Sequence, residues 1–333
     1  MPSCDSASRA YLLNPGVFAD AVNLGLFGGR EVVTPEGLSA EDTRLTAVLG
    51  DGQTVDRYRD LLNRAVVRQA GGATYALFGI ENQSRQEQAM PLRCLLYDVL
   101  TLLRMFRELG DRRHGGRGGN SLSWLRPGDR VPPVTTLVVY WSPCRWRAPR
   151  RLHSLIDFPA KELRRLVPDY RINLLQPCAL SAGELAECRT NLGKMLHYVK
   201  LLNDRTALQE FVAGDPFFGA VGETEANLLM ALGGCPSKVN KPQPGKEGGY
   251  DMRYALAQMA REERAEGRAE GRAEGMEKGR AEGMEKGRAE ERQSNIRNLV
   301  GMLQAQGMSS EFVVSTLKGT FHMTEAQARR CLV

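Results

Sequence analysis

The sequence lacks any apolar run long enough to span a bilayer, and its first nine residues are polar where a secretory signal would be apolar. Seven cysteines, with no C-x-x-C pair, are too few for a disulfide framework and do not complete a zinc site. The four histidines have no partner at metal-ligand or triad spacing, and no Walker-type loop is present. We therefore predict a reduced, cytoplasmic protein with no membrane partner.

Positive charge is concentrated in one stretch of the chain. The formal net charge is +6, yet residues 104–151 hold eleven arginines against three acidic residues, a local excess of eight. Arginine forks phosphate oxygens, and neutralised phosphates release counterions, so the stretch fits a polyanion such as DNA. Arg104 and Arg107 begin the stretch and are candidates to contact phosphate. A solvated surface loop of the same composition is the alternative.

Hydrophobic patterning predicts an α/β domain over residues 1–215. The segment 134–141 is β-branched and almost continuously apolar, which is typical of a strand covered on both faces. In chain order the pattern predicts a helix at 18–27, strands at 61–67 and 75–80, a helix at 91–108, strands at 134–141 and 170–175, and mostly helix from 182 to 211. This order indicates a mixed central sheet flanked by helices.

The composition changes beyond this domain. Residues 216–250 are predicted to be a linker, and residues 251–292 carry a repeat of Arg, Ala, Glu and Gly that predicts a charged helix. That helix fits a homo-oligomeric stalk, with a solvated linker as the alternative. Residues 293–333 predict a small helical module with a capping box at Thr324 and Gln327. We favour packing or dimerisation for this module over a DNA-reading helix-turn-helix.

Two acidic residues are predicted to meet across a β-hairpin. Asp60 lies ten residues before Ala70 and Glu81 ten residues after Gly71, so a turn at this point pairs the two carboxylates on adjacent strands. Gln83 shares a face with Glu81 because side chains alternate along a strand. Hard oxygen donors of this kind suit Mg²⁺, with Mn²⁺ and Ca²⁺ as alternatives. The competing interpretation is a pair of exposed residues at strand ends.

At these residues the chain resembles a known family. The runs RYRDLL at 57–62, GIENQS at 79–84 and AMPLR at 89–93 are similar to the recombination-promoting (Rpn-type) nuclease and transposase family, a branch of the PD-(D/E)XK nucleases. The similarity continues through PVTTLVVYW at 133–141 and RLHSL at 151–155, and covers about residues 18 to 210.

The resemblance implies a restriction-endonuclease-like core and metal-dependent DNA endonuclease activity. Asp60 and Glu81 would hold the divalent metal, and Gln83 stands where the wider superfamily has lysine. Asp20, on an early helix, would be an added outer ligand, and Arg93 would contact phosphate or form a structural salt bridge. The rival functions are nucleic-acid binding without catalysis and an oligomeric scaffold built on the C-terminal helix.

Overall fold

The computed structural model describes residues 3–48, 54–69, 72–114, 122, 125–233 and 249–332. It divides into two compact units, Met1–Met259 and Ala260–Val333. Within the described ranges, no helix is both long and apolar enough to cross a membrane.

The first unit is built on a five-stranded sheet whose strand order is β1-β4-β5-β6-β7. The bounds are β1 Leu38–Ala40, β4 Leu61–Gln69, β5 Gly72–Gln83, β6 Val134–Tyr140 and β7 Asn173–Leu175. The β1/β4 and β4/β5 pairs are antiparallel, whereas β5/β6 and β6/β7 are parallel. The mixed sheet predicted from the sequence is therefore confirmed. Two further strands, β2 Arg44–Val48 and β3 Thr54–Tyr58, form a separate two-stranded antiparallel sheet.

Helices cover both faces of this sheet. Their bounds are α1 Cys4–Leu12, α2 Pro15–Phe27, α3 Met90–His114, α4 Leu163–Leu166, α5 Ala182–Ala186, α6 Leu192–Leu201, α7 Arg205–Gly214 and α8 Glu223–Leu232. Alternate residues of β5 and β6 enter different clusters: Phe78 and Leu137 pack in the main core, whereas Val138 packs against the first turns of α3. The long helix α3 covers the second face, while α1, α2, α6 and α8 contribute to the main core. The doubly covered strand predicted at 134–141 is thus confirmed.

Local signals explain where α2 begins and ends. The side chain of Asn14 accepts the backbone N–H groups of Gly16 and Val17, and Pro15 occupies the first turn, where its missing N–H costs nothing. The helix ends at Gly28, whose φ of 61° is the left-handed conformation that glycine adopts without strain. The helix predicted at 18–27 exists, but the cap extends it by one turn towards the N-terminus.

The core of the first unit continues past residue 215, where the sequence predicted a linker. Phe218 and Val221 are fully buried, and α8 adds Leu228 and Leu229 to the same core. The N–H and C=O groups of Val221 and Tyr250 pair across an isolated antiparallel bridge. Residues 216–233 therefore belong to the domain, and residues 234–248 of the predicted linker lie outside the described residues.

The tail contains three helices: α9 Met252–Ala305, α10 Ser310–Phe321 and α11 Glu325–Arg330. Within the second unit, α9 contributes Ile296, Val300 and Leu303 to a small core that α10 and α11 complete. The capping box at Thr324 and Gln327 is confirmed. Every residue from 267 to 295 is exposed, so this part of α9 buries no apolar face within the described chain.

Candidate metal and nucleic-acid site

The β4/β5 hairpin has the register expected from the sequence. Leu61 lies opposite Ile80, and the pairing continues to Gln69 opposite Gly72. One step further along this register, Asp60 lies opposite Glu81, at the end of the hairpin away from its turn. Because β5 pairs with β6 on its other edge, Glu81 lies on the central strand of the five-stranded sheet, opposite Val138 of β6.

The Asp60 carboxylate is held by the backbone of the opposite strand. Its Oδ2 accepts the N–H of Asn82 at 2.8 Å, and its own carbonyl accepts Nε of Arg9 from α1 at 3.1 Å. Burial raises the pKa of Asp60, while the Asn82 N–H and the charges of Arg93 and Arg9 act in the opposite direction. Asp60 therefore lies half-buried with one oxygen committed to the protein.

Glu81 is the most unusual carboxylate of the site. It is fully buried, and neither side-chain oxygen has a hydrogen-bond partner among the described residues. Nη2 of Arg93 lies 2.9 Å from Oε2, an ion pair without hydrogen-bond geometry. Burial raises the pKa of Glu81 to about 7, with the Asp60 charge as the next cause; Arg93, Arg59 and the nearby Asp60 backbone amide act against it.

Arg93 approaches Glu81 from the start of α3. Its side chain is 34% exposed, its Nε donates to the Tyr97 hydroxyl at 3.3 Å, and its guanidinium lies 5.8 Å from the centroid of the Tyr97 ring. Burial by itself lowers the Arg93 pKa, but Glu81 and Tyr97 raise it above its usual value. The structure thus brings Arg93 to the predicted carboxylates, where it forms the salt bridge that the sequence left open.

A second ion pair lies beside Glu81 and was missed from the sequence. Arg59 is 1% exposed, and its Nη2 donates to Oδ1 of Asp98 at 2.9 Å. Asp98 also accepts the hydroxyls of Thr136 and Tyr170, each at 2.6 Å. Removal of the Asp98 carboxylate would leave the buried guanidinium of Arg59 unpaired. These contacts therefore hold that guanidinium beside the candidate site.

Helix α1 supplies a further acidic residue that spacing did not reveal. Oδ1 of Asp5 accepts the N–H of Ser84 at 3.1 Å, and the Asp5 carbonyl accepts Nδ2 of Asn82 at 2.8 Å. The Asp5 charge also raises the pKa of Asp60. The start of α1 is therefore joined to the end of β5 beside both candidate ligands. The sequence signals for α1 are weak: the helix-capping residue Ser3 and the buried apolar residue Ala7 one turn later, in a short helix.

The other predicted site residues lie in different surroundings. Gln83 is the last residue of β5, on the same face as Glu81, and its carbonyl accepts the N–H of Trp141. Asp20 binds the N–H and hydroxyl of Thr190 at 2.6 and 2.7 Å, so the structure uses it to hold a loop and does not group it with Asp60 and Glu81.

The two arginines that were predicted to bind phosphate, Arg104 and Arg107, lie on α3 away from the carboxylates. Nη1 of Arg104 donates to the carbonyl of Asp42 at 3.1 Å, so it joins α3 to the segment before β2. Arg107 is exposed and lies about four helical turns beyond Arg93, the α3 residue that contacts Glu81.

The donor set fits a divalent cation held by few protein ligands. Among the described residues, no three His, Cys, Asp or Glu side chains are grouped closely enough to hold a metal. Mg²⁺, however, is commonly bound by one or two carboxylates, with water and substrate phosphate completing its octahedron. Among the described residues, neither Glu81 oxygen accepts a hydrogen bond and only Oε2 has the Arg93 ion pair, while Asp60 has one oxygen outside its bond to Asn82. The residues present therefore fit such an ion.

Comparison with protein-family models, with curated proteins and with solved structures found no significant match to this chain. The fold and the geometry of the residues therefore carry the functional argument.

Proposed function

We propose that this chain is a divalent-metal-dependent DNA endonuclease with a restriction-endonuclease-like core. One observation carries the proposal: Glu81 is buried opposite Asp60 on the hairpin, Arg93 faces only its Oε2, and neither carboxylate oxygen accepts a hydrogen bond of good geometry from the described residues. A buried carboxylate without such partners is costly, and a cation between the two acidic residues would offset that cost. The α/β sheet with helices on both faces is compatible with such a core.

Each residue of the site has a role in this proposal. A bound Mg²⁺ would polarise a phosphate oxygen and lower the pKa of a water molecule. Asp60 and Glu81 hold the ion, and the amide of Gln83 orients water or phosphate by hydrogen bonds, since it has no titratable amine. Arg93 balances the charge of Glu81 and lies where a substrate phosphate would approach, because its side chain reaches the surface. DNA is the expected substrate because of the arginine-rich stretch 104–151.

The test is nicking of supercoiled plasmid with Mg²⁺, Mn²⁺ or Ca²⁺. We expect the wild-type chain to nick the plasmid, and Asp60→Ala and Glu81→Gln to abolish nicking. The matched control is Glu162→Gln, an exposed acidic residue just before α4. Nicking that persists at the wild-type rate in both site variants would refute the proposed site.

Nucleic-acid binding without catalysis is the second candidate. It is favoured by the ion pair of Arg93 with Glu81, which already neutralises the buried charge, and by the absence of an ammonium at Gln83. This candidate predicts salt-sensitive DNA binding with no metal-dependent cleavage under any of the three ions.

A further inference from the structure

The loop that follows β6 has a fixed backbone. Oε1 of Gln176 accepts the N–H of Trp146 at 3.0 Å, and Oε1 of Gln86 accepts the N–H groups of both Arg147 and Ala148 at 2.9 Å. The side chains of Trp146 and Ala148 are buried. The arginines of this loop are therefore carried on a backbone whose position is set by two side-chain amides.

Three arginines from two chain segments lie around this loop, and Nε2 of Gln86 donates to the carbonyl of Arg145 at 3.3 Å, which holds Arg145 on the same loop backbone. The carbonyl of Arg150 accepts the N–H of Ile172 at 3.1 Å, and Arg151 and Arg171 form an antiparallel bridge, so residues 150 and 171 lie on adjoining segments. Burial lowers the pKa of Arg150, and the charges of Arg171 and Arg145 lower it further. Nε of Arg150 is buried and has no hydrogen-bond partner within the described chain.

The neighbouring acidic residue does not neutralise this group. Asp169 pairs with Arg151 at 2.8 Å and also accepts the N–H of His153. In the described parts of the chain, Arg145, Arg150 and Arg171 have no ion pair of their own. Like charges held together by a fixed backbone are unfavourable without an anion, and the guanidinium fork matches phosphate oxygens.

The position of the group links it to the candidate metal site. Gln86, which holds the loop, lies three residues beyond Gln83 at the end of β5, the strand that carries Glu81. A backbone phosphate bound by these arginines would therefore belong to a strand that passes the carboxyl end of β5. The loop reaches this position through contacts between residues about 60 apart in sequence, so composition alone did not single it out.

We propose that Arg145, Arg150 and Arg171 form a binding site for a phosphate of the nucleic-acid backbone next to the carboxylate pair. The inference rests on the proposed function for its choice of ligand. It selects Arg145 and Arg150 from the eleven arginines of the basic stretch and adds Arg171 from outside that stretch. Phosphate is the group that adjoining guanidinium forks match, and nucleic acid supplies that phosphate in the function proposed above.

The experiment measures binding of a fluorescent 20-base-pair duplex by anisotropy, in EDTA, over a range of KCl concentrations. We expect Arg145→Gln/Arg150→Gln/Arg171→Gln to weaken binding at least tenfold at 100 mM salt. The slope of log K against log salt should fall by roughly 2 to 3, since each lost contact with duplex phosphate removes about 0.9. The matched control removes the same charge from three exposed arginines outside the basic stretch, by Arg30→Gln, Arg164→Gln and Arg165→Gln.

A second variant separates loss of charge from loss of fold. Replacement of the same three residues by lysine should keep most of the salt slope while weakening binding, because lysine keeps the charge but lacks the fork. Equal losses in the glutamine variant and its control, or wild-type binding by the glutamine variant, would overturn the inference. If the cluster variant binds normally while Asp60→Ala abolishes nicking, only this inference fails; if binding depends on the cluster and no metal supports cleavage, only the nuclease activity fails.

Discussion

Replacement of Glu81 by glutamine should change the pH dependence of stability in a specific direction. The pKa of Glu81 is about 7 in the fold against 4.5 for an ordinary glutamate, so the folded state holds this proton more tightly than the unfolded chain. The contribution to stability is full below pH 4.5 and is lost as the pH rises through 7. Each pKa unit is worth about 1.4 kcal/mol, so wild-type stability should fall by roughly 2 to 3 kcal/mol between pH 5 and pH 8 because of this one group.

Glutamine has no proton to lose, so the Glu81→Gln variant should lack this part of the decline. In a domain of this size, the difference corresponds to roughly 5 to 10 °C in melting temperature. Urea unfolding followed by tryptophan fluorescence measures it, because all three tryptophans lie between residues 124 and 146, within the first unit. The stability of the Glu162→Gln control should decline with rising pH as that of the wild type does.

The same unfolding assay tests whether Glu81 binds a divalent metal ion. Because a cation binds the ionised carboxylate, Mg²⁺ should restore stability to the wild type at pH 8 and have no effect on Glu81→Gln. Identical pH profiles for the wild type and Glu81→Gln, with no response of either to Mg²⁺, would refute the reasoning that Glu81 is a buried carboxylate in need of a cation.

Three further predictions concern the buried ion pair and the tail. Asp98→Asn should destabilise the domain by about 3 to 5 kcal/mol in urea unfolding, since it leaves Arg59 buried without a carboxylate. Gly79→Ala should cost about 1 to 3 kcal/mol or more in the same assay, because the new Cβ would lie 1.9 Å from Nη1 of Arg59. In sedimentation velocity, the full chain should form an oligomer, whereas a chain ending at Met259 should be a monomer; a monomeric full chain at tens of micromolar would argue against the stalk.

The hairpin was predictable because its information is local. The glycines between the two apolar runs predict the register in which β4 and β5 pair, and alternation along β5 then places Glu81 and Gln83 on one face. Helix α3 was equally accessible, since its apolar pattern follows a proline in the first turn. Elements that are determined by residues within about twenty positions of each other could therefore be predicted from the sequence.

The rest of the site depends on contacts between residues far apart in the chain. Asp5 meets Ser84 across 79 positions, and Asp20 meets Thr190 across 170. Spacing cannot distinguish the acidic residue that reaches the hairpin from the one that holds a loop, because the same residue type serves both purposes. The predicted linker began too early: it was assigned from residue 216, yet Phe218 is fully buried in the main core.

The carboxylate of Asp98 has a consequence for the order in which the protein matures. Asp98 lies on α3 and accepts hydrogen bonds from Arg59, from Thr136 in the middle of β6 and from Tyr170. During synthesis, the guanidinium of Arg59 emerges long before its last neighbour, so an incomplete chain must keep this group hydrated. Until residue 170 has left the ribosome, Asp98 lacks the Tyr170 hydroxyl that donates to its Oδ2, so a shorter nascent chain cannot complete this set of contacts.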